Sequence, residues 1–162
     1  MSDSQAFLRD ATVSDMERIQ GWFANAEQLF IWGGPGLVFG VALDEFCRQI
    51  KLSNLNSSVL TDGRELLGFG QFYVRQGRHH LGRLAISPEH RGKGLSKYLV
   101  RLLCQIAPHK QSANGFSLFV LPDNVKARSL YLKLGFVEQS YPEAIPGGLQ
   151  DCIYMVCDNI HH

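Results

Sequence analysis

The chain reads as a mixed α/β (α+β) fold, a largely antiparallel twisted sheet with helices on both faces. Three observations predict this. Apolar runs of strand length recur between turn signals, at Leu66 to Val74, His79 to Ser87 and Gly115 to Leu121. Leu95, Tyr98, Leu99, Leu102, Leu103 and Ile106 instead repeat at the i, i+3, i+4, i+7 spacing of one helix face. The order of segments is strand, two helices, a run of strands, helix, strand, helix and strands, which places helical layers on both sides of one sheet.

Taken in order, a short strand spans Phe7 to Asp10. Thr12 then caps a helix with Asp15 at capping-box spacing, and Val13, Met16, Ile19 and Phe23 supply its apolar face. From Asn25 to Gly40 the pattern lapses, and FIWGGPGLVFG, with four glycines and a proline among its aromatics, predicts a loop. A second helix is expected over Ala42 to Ile50, with Leu43, Phe46, Cys47 and Ile50 on one side. The polar run SNLNSS leads to strands at Ser58 to Leu60 and Leu66 to Val74, joined across Asp62 and Gly63. Gln76 to Arg78 turns the chain into the strand from His79. The helix from Leu95 is expected to end near Pro108, and the helix opened by Pro122, Asp123 and Asn124 to stop at Gly135. Phe136 to Ser140 and Asp151 to Val156 are the last strands, separated by the loop YPEAIPGGL.

With 162 residues the chain is expected to form a single domain over residues 1–162, and 45% hydrophobic against 19% charged residues suits a sizeable core. Sixteen Lys and Arg against fifteen Asp and Glu leave a formal charge of +1, so no global field directs it to nucleic acid or an anionic membrane. The N-terminal MSDSQAFLRD lacks a basic segment followed by an apolar one, and no stretch reaches the roughly 18 apolar residues of a membrane span. A cytoplasmic location is expected. Cys47, Cys104, Cys152 and Cys157 are dispersed without a C-x-x-C pair, which predicts reduced thiols and no metal site. His161 and His162 fit a natural terminus or the start of a tag.

The chemistry concentrates in LGRLAISPEHRGKGLSKYLV, Leu81 to Val100. Leu84, Ala85 and Ile86 read as buried strand, Ser87 and Pro88 stop it, and Arg91, Gly92 and Gly94 form a turn directly before the helix. The orphan N–H groups and positive dipole end of that helix make a seat for phosphate. Three anion-binding patterns compete for the turn. A nucleotide P-loop fails twice, because Gly92-Lys93 is followed by Gly94 and Ser87 stands where the first glycine belongs. A dinucleotide fingerprint accommodates Gly92 and Gly94 but places Lys97 at its third glycine, where close packing excludes a long side chain. The pattern R/Q-x-x-G-x-G/A is met from Arg91 to Ser96 except at its last letter, and Ser96 is small enough to let the loop close.

In these residues the chain resembles the GNAT superfamily of N-acetyltransferases, whose pyrophosphate-binding loop reads much like LAISPEHRGKGLSKYLV. A second segment, NVKARSLYLKLGFVE from Asn124 to Glu138, resembles the other acetyl-CoA-contacting element of that superfamily, an Asn, a helix carrying Tyr and a closing Gly-Phe. Asn124, Ala127 and Tyr131 are spaced along one helix face. The resemblance implies a GNAT-like sheet and transfer of acetyl from acetyl-CoA, as cosubstrate, to a primary amine of a small molecule or a protein by direct attack. It implies that Arg91, Gly92, Lys93, Gly94, Leu95 and Ser96 hold the pyrophosphate, with backbone N–H groups supplemented by the charges of Arg91 and Lys93. Leu84, Ala85 and Ile86 would pair with the pantetheine amides and offer a backbone N–H to the thioester carbonyl. Asn124, Ala127 and Tyr131 complete the coenzyme contacts, and Tyr131 is the candidate catalytic acid for the departing thiolate. The expected assembly is a monomer or homodimer.

The general base stays open at this level. His79 and His80 are adjacent on a strand and face opposite sides, so at most one points toward a cleft. Surface histidine is the default expectation for both, and for His90 in the turn. Glu27, Glu65 and Glu143 lack distinguishing context, and a water relay requires no dedicated base. Phe30, Trp32, Phe39 and the loop Gly33 to Gly36, with Tyr141 and the loop Pro142 to Gly148, are the candidates for the acceptor side. The alternative function is a noncatalytic acyl-CoA-binding sensor, against which Tyr131 argues because binding alone requires no proton donor. Nucleic-acid binding through Arg91, Lys93, Lys97 and Arg101 is disfavoured by the near-neutral charge.

Overall fold

Thr12 starts the first helix as its spacing requires. In the computed structural model, which describes residues 6–145 and 151–160, strand β1 (Phe7–Asp10) leads into α1 (Val13–Gln20). The Thr12 hydroxyl accepts from the Asp15 N–H at 3.2 Å, and the Asp15 carboxylate accepts from the Thr12 N–H at 2.8 Å. Arg9 adds an ion pair to Asp15 at 2.6 Å. Burial alone would raise the Asp15 carboxyl, but the Arg9 and Thr12 hydrogen bonds together outweigh it and hold it below the ordinary value.

Helix α2 (Ala26–Gly33) occupies ground where the sequence predicts a loop. Its start signal is visible, since Asn25 Oδ1 accepts from the Gln28 N–H at 2.9 Å. Its periodicity is not. Phe30 and Ile31 are exposed beside buried Leu29 and half-buried Trp32, so the run Leu29 to Trp32 is apolar without helical periodicity. Helix α3 (Leu43–Gln49) buries Phe46, with Ile50 following, as expected.

Strands β2 (Asn56–Thr61), β3 (Leu66–Arg75) and β4 (Arg78–Ile86) form an antiparallel meander. A 3-10 turn at Pro88–His90 precedes α4 (Leu95–Lys110), which continues past Pro108 instead of stopping there. Pro108 lacks the N–H that would bond to the Cys104 carbonyl, and with only two helical residues beyond it the disruption is confined to the last turn. Then come β5 (Phe116–Val120), α5 (Val125–Leu134), a β6 reduced to Val137–Glu138, and β7 (Ile153–Cys157). Residues 146–149 of the expected loop before β7 lie outside the described residues, as do residue 150, His161 and His162.

The sheet order is β1-β2-β3-β4-β5-β7-β6, and β4 with β5 is its parallel pair. On one face α4 and α5 close a core containing Leu60, Phe72, Leu81, Leu99, Leu103, Leu118, Phe136 and Met155. On the other, α1 to α3 cover Val59 and Phe69 with Met16, Ile19, Phe46 and Ile50. Side chains of this size contribute about 1.5–3 kcal/mol each on full burial. Gly70 sets the seat of α4 on the sheet, since a Cβ there would meet Leu103 Cδ1 at 2.7 Å. All four cysteines are free, with Cys104 and Cys157 in the core. Among the described residues no helix is long and apolar enough to cross a membrane.

Candidate active site

Two features of β4 shape the site. Its parallel ladder with β5 pairs His79 with Phe116, His80 with Ser117 and Leu81 with Leu118, and then ends while both strands continue. Beyond Leu81 the strands diverge, and the edge of β4 facing β5 is left with backbone groups that require partners. Leu84 and Ala85 on that segment are only half-buried. The second feature is a bulge. Gln71 pairs with Gly82 and Phe69 with Ala85, so β4 carries an extra residue, and Arg83 takes φ +50° within it.

The strand then runs directly into the glycine turn. Ser87 is pinned by its N–H to the Leu67 carbonyl at 2.8 Å. Arg91, Gly92, Lys93, Gly94 and Ser96 are exposed, and Leu95 is the first buried anchor of α4. Gly92 and Gly94 have φ +79° and +77°, which a side chain resists. The start of α4 has no side-chain cap and no acidic residue in its first turn, so its N–H groups and dipole end are unclaimed. A Cβ added to either glycine meets no protein atom within 4 Å. The space before the helix is therefore open, and its chemistry fits a diphosphate.

Helix α5 packs on the same sheet face as α4. Asn124 caps it, its Oδ1 accepting from the Ala127 N–H at 3.3 Å, so this amide is engaged with the helix start. Tyr131 is partly buried and meets Phe136 edge-on at 5.9 Å. Burial pushes its phenol up to about 12, which keeps it protonated at neutral pH.

The histidines differ from expectation. His79, His80 and His90 expose only 1%, 2% and 7% of their surface, so none is a surface residue. His79 packs between Phe72 and Phe116 on the α4 side. His80 faces the other way, with Nδ1 2.8 Å from the Ser117 hydroxyl and its ring 4.7 Å from that of Phe119. His90 Nε2 lies 3.1 Å from Glu65. Burial first, then the nearby Arg75 charge, holds the His80 imidazole down at about 3, which makes it a poor proton acceptor at working pH. The unfolded chain binds this proton near the ordinary value of 6.5, so stability falls as pH drops from there toward 3. The expected slope from this residue is about 1.4 kcal/mol per pH unit. Urea titrations between pH 7 and pH 5 should show a smaller loss in His80→Gln than in the wild type. Parallel slopes would show that His80 is protonated in the native state.

The acceptor side is built from different residues than the sequence suggests. Phe30 and Phe39 are exposed, and Trp32 stacks on Phe23 at 4.4 Å within the core. On the sheet face opposite α4, an aromatic wall joins Tyr73, His80, Phe119, Tyr141 and Tyr154, with Tyr141 4.9 Å from Tyr154 and 5.2 Å from Phe119. The Arg75 guanidinium lies over Tyr73 and Phe119 at 5.3 and 5.7 Å and donates to the Tyr141 hydroxyl at 2.9 Å. Tyr141 donates in turn to Glu143 at 3.3 Å. Glu27 is exposed on α2. Tyr141 is legible in the sequence; the others carry a weaker signal, the strand alternation that places Gln71, Tyr73 and Arg75 on one face. Of the loop 142–148, residues 146–148 lie outside the described residues.

Comparison with known proteins agrees with this geometry. The model of the acetyltransferase (GNAT) family matches residues 22–136. YobR, an uncharacterized N-acetyltransferase of Bacillus subtilis (strain 168), is 35% identical over 75 residues, 46% of this chain, and the match spans 30% of that relative's length. A spermidine N-acetyltransferase from Vibrio cholerae, solved with CoA and spermine, superposes with a TM-score of 0.74 at 24% identity over 95% of both chains. AAC(6')-Ib, solved with ribostamycin and coenzyme A, gives 0.75 at 22% identity over 94% of this chain and 93% of its own. These two similarities show the fold. With most of the chain covered by the family model, from α2 through α5, the diverging strands and the glycine turn are those of a member of the acetyltransferase (GNAT) family.

Proposed function

We propose that the chain transfers the acetyl group of acetyl-CoA to a primary amine by direct attack. The observation that carries this reading is the unpaired β4 edge running straight into an uncapped, glycine-lined helix start. Bound acetyl-CoA supplies an activated thioester carbonyl. The turn Arg91 to Ser96 binds its diphosphate through N–H groups, while Arg91 and Lys93 add charge. Leu84, Ala85 and Ile86 align the pantetheine arm and place a backbone donor at the carbonyl, a type of contact worth roughly 3–4 kcal/mol of barrier in other enzymes. Ala127 keeps the α5 wall low beside Tyr131, and Asn124 fixes the start of that helix.

As the C–N bond forms and the C–S bond breaks, Tyr131 donates toward the sulfur. Its phenol stands at about 12, against a thiol reference near 8.5, so complete transfer from the phenol is uphill by about 5 kcal/mol. Tyr131 therefore acts as a hydrogen-bond donor to the developing thiolate and keeps its own proton, so the thiolate is protonated from solvent and the proton shed by the attacking amine needs a separate acceptor. Buried neutral His80 is not that acceptor, which leaves a water to receive the amine proton.

The names of the relatives support amines as acceptors, and a noncatalytic sensor is not favoured. The single sheet supports one domain over residues 1–162, and the free cysteines support a reducing cytoplasm, with a monomer or homodimer as the working unit. Calorimetry with CoA and thiol release across amino acids, polyamines and peptide N-termini test the reading. One-site CoA binding with amine-dependent release is expected. CoA binding without release for any amine would favour a sensor, and no CoA binding would remove both.

A further inference from the structure

The bulge in β4 presents a cation that the fold leaves incompletely paired. Arg83 is half-buried, and its guanidinium is anchored on three sides: Nε donates to the Gly33 carbonyl at 3.3 Å, and Nη1 to the Ile50 carbonyl at 3.0 Å and to Gln71 Oε1 at 3.1 Å. Gln71 is itself fixed by donating to the Ile50 carbonyl and to the Ser57 hydroxyl, each at 2.8 Å. All of these acceptors are neutral. Among the described residues Arg83 has no carboxylate within 4 Å, and what sets it apart is that neutral acceptors hold it rigidly inside the β4 bulge. Nη2 keeps both N–H groups without a described protein partner and is not sealed from solvent.

Position gives this vacancy its meaning. Arg83 immediately precedes Leu84 on the strand whose edge is open, and its head lies on the face opposite α4, toward α2 and α3. The same face carries Arg75, whose partners are the rings of Tyr73 and Phe119 and the hydroxyls of Tyr73, at 3.2 Å, and Tyr141. This face therefore carries two guanidinium groups, and that of Arg83 is rigidly held with a donor pair that has no partner among the described residues. A polycationic acceptor meets repulsion on this wall, and an anionic group meets a pre-positioned partner.

We infer that the acceptor is a zwitterionic amine, an amino acid whose carboxylate pairs with Nη2 of Arg83 while its amine is presented at the open edge of β4. This rests on the acetyl-transfer reading above and narrows it. The rigid anchoring matters because a guanidinium already fixed by Gln71, Gly33 and Ile50 loses little freedom on binding.

The test uses the full chain in the acetyl-CoA thiol-release assay with the common L-amino acids, their carboxamides, and spermidine. For the best amino acid, kcat/KM is expected at least tenfold above that of its own carboxamide, and spermidine should be a poor acceptor. Arg83→Gln should raise KM for the amino acid at least tenfold, change the carboxamide little, and leave CoA binding by calorimetry as in the wild type. Arg83→Lys should restore part of the preference. Equal rates on acid and carboxamide, or an equal loss on both in Arg83→Gln, would overturn the inference. If Arg83→Gln fails to fold, the wild-type comparison of acid with carboxamide decides alone. A chain that binds no CoA overturns the acetyl-transfer reading along with this one, whereas a chain that acetylates polyamines or carboxamides preferentially overturns this one and leaves the other standing.

Discussion

Gly94→Ala is expected to weaken CoA binding by about 10- to 100-fold while leaving the fold in place. Gly94 has φ +77° at the N-cap of α4, and a Cβ built there meets no protein atom within 4 Å. The cost to the free protein is therefore the left-handed backbone alone, about 1–2 kcal/mol. That corresponds to a drop of roughly 2–8 °C in melting temperature for a chain of this size. The cost to the complex is different in kind. The new methyl stands in the open space before the helix and forces the diphosphate away from donors whose charge-assisted bonds are worth about 1.5–3 kcal/mol each. Gly77→Ala supplies the matched control, because Gly77 has φ +74° and the same open surroundings but lies in the β3–β4 turn. Calorimetric titration of both variants with CoA separates the two costs. Equal affinities in Gly94→Ala and Gly77→Ala would show that the helix start does not receive the coenzyme.

That comparison also shows how the site became legible in the sequence. A strand, two glycines and a helix face are local features, set by spacing over a few residues, and the backbone follows them at β4, Gly92, Gly94 and α4. The Thr12 and Asp15 cap and the Asp62-Gly63 turn are legible for the same reason. Helix α2 is not, because tertiary packing against β4 stabilises a helix whose run Leu29 to Trp32 is apolar without helical periodicity. Burial of the histidines is also nonlocal. His79 and His80 are covered by side chains from β3 and β5, which meet them only once the sheet is paired.

Arg83 combines the two cases. A charged residue beside Gly82, inside an apolar strand, is a local sign of a bulge. What the guanidinium touches depends on Gly33, Ile50 and Gln71, residues brought to it by α2, α3 and β3. The coenzyme side of the site is thus written mainly in one continuous stretch, and the acceptor side is assembled from segments distant in the chain. This division explains why the cosubstrate can be read from the letters while the acceptor has to be read from the packing.

Tyr131→Phe should lower the single-turnover rate of acetyl transfer by about 100- to 1,000-fold, the usual range for losing one hydrogen-bond donor to developing charge. Binding should be nearly unaffected. The ring meets Phe136 edge-on at 5.9 Å, and phenylalanine preserves that contact, so the α5 wall keeps its shape. What is lost is the O–H alone. The high value of about 12 makes the effect specific in pH as well: Tyr131 stays protonated across pH 6 to 10, so the wild-type rate should show no loss from its deprotonation in that range. The rate in both proteins should still rise as the acceptor amine deprotonates, leaving two parallel profiles separated by a constant factor. Stopped-flow measurement of thiol release with enzyme in excess, with CoA affinity measured separately, gives both quantities. Unchanged single-turnover rates in Tyr131→Phe would remove the phenol from the reaction, and a loss of CoA affinity equal to the loss of rate would make Tyr131 a binding residue. A rate falling in the wild type alone near neutral pH would assign the titrating group elsewhere, since a phenol held at about 12 has no proton to lose there.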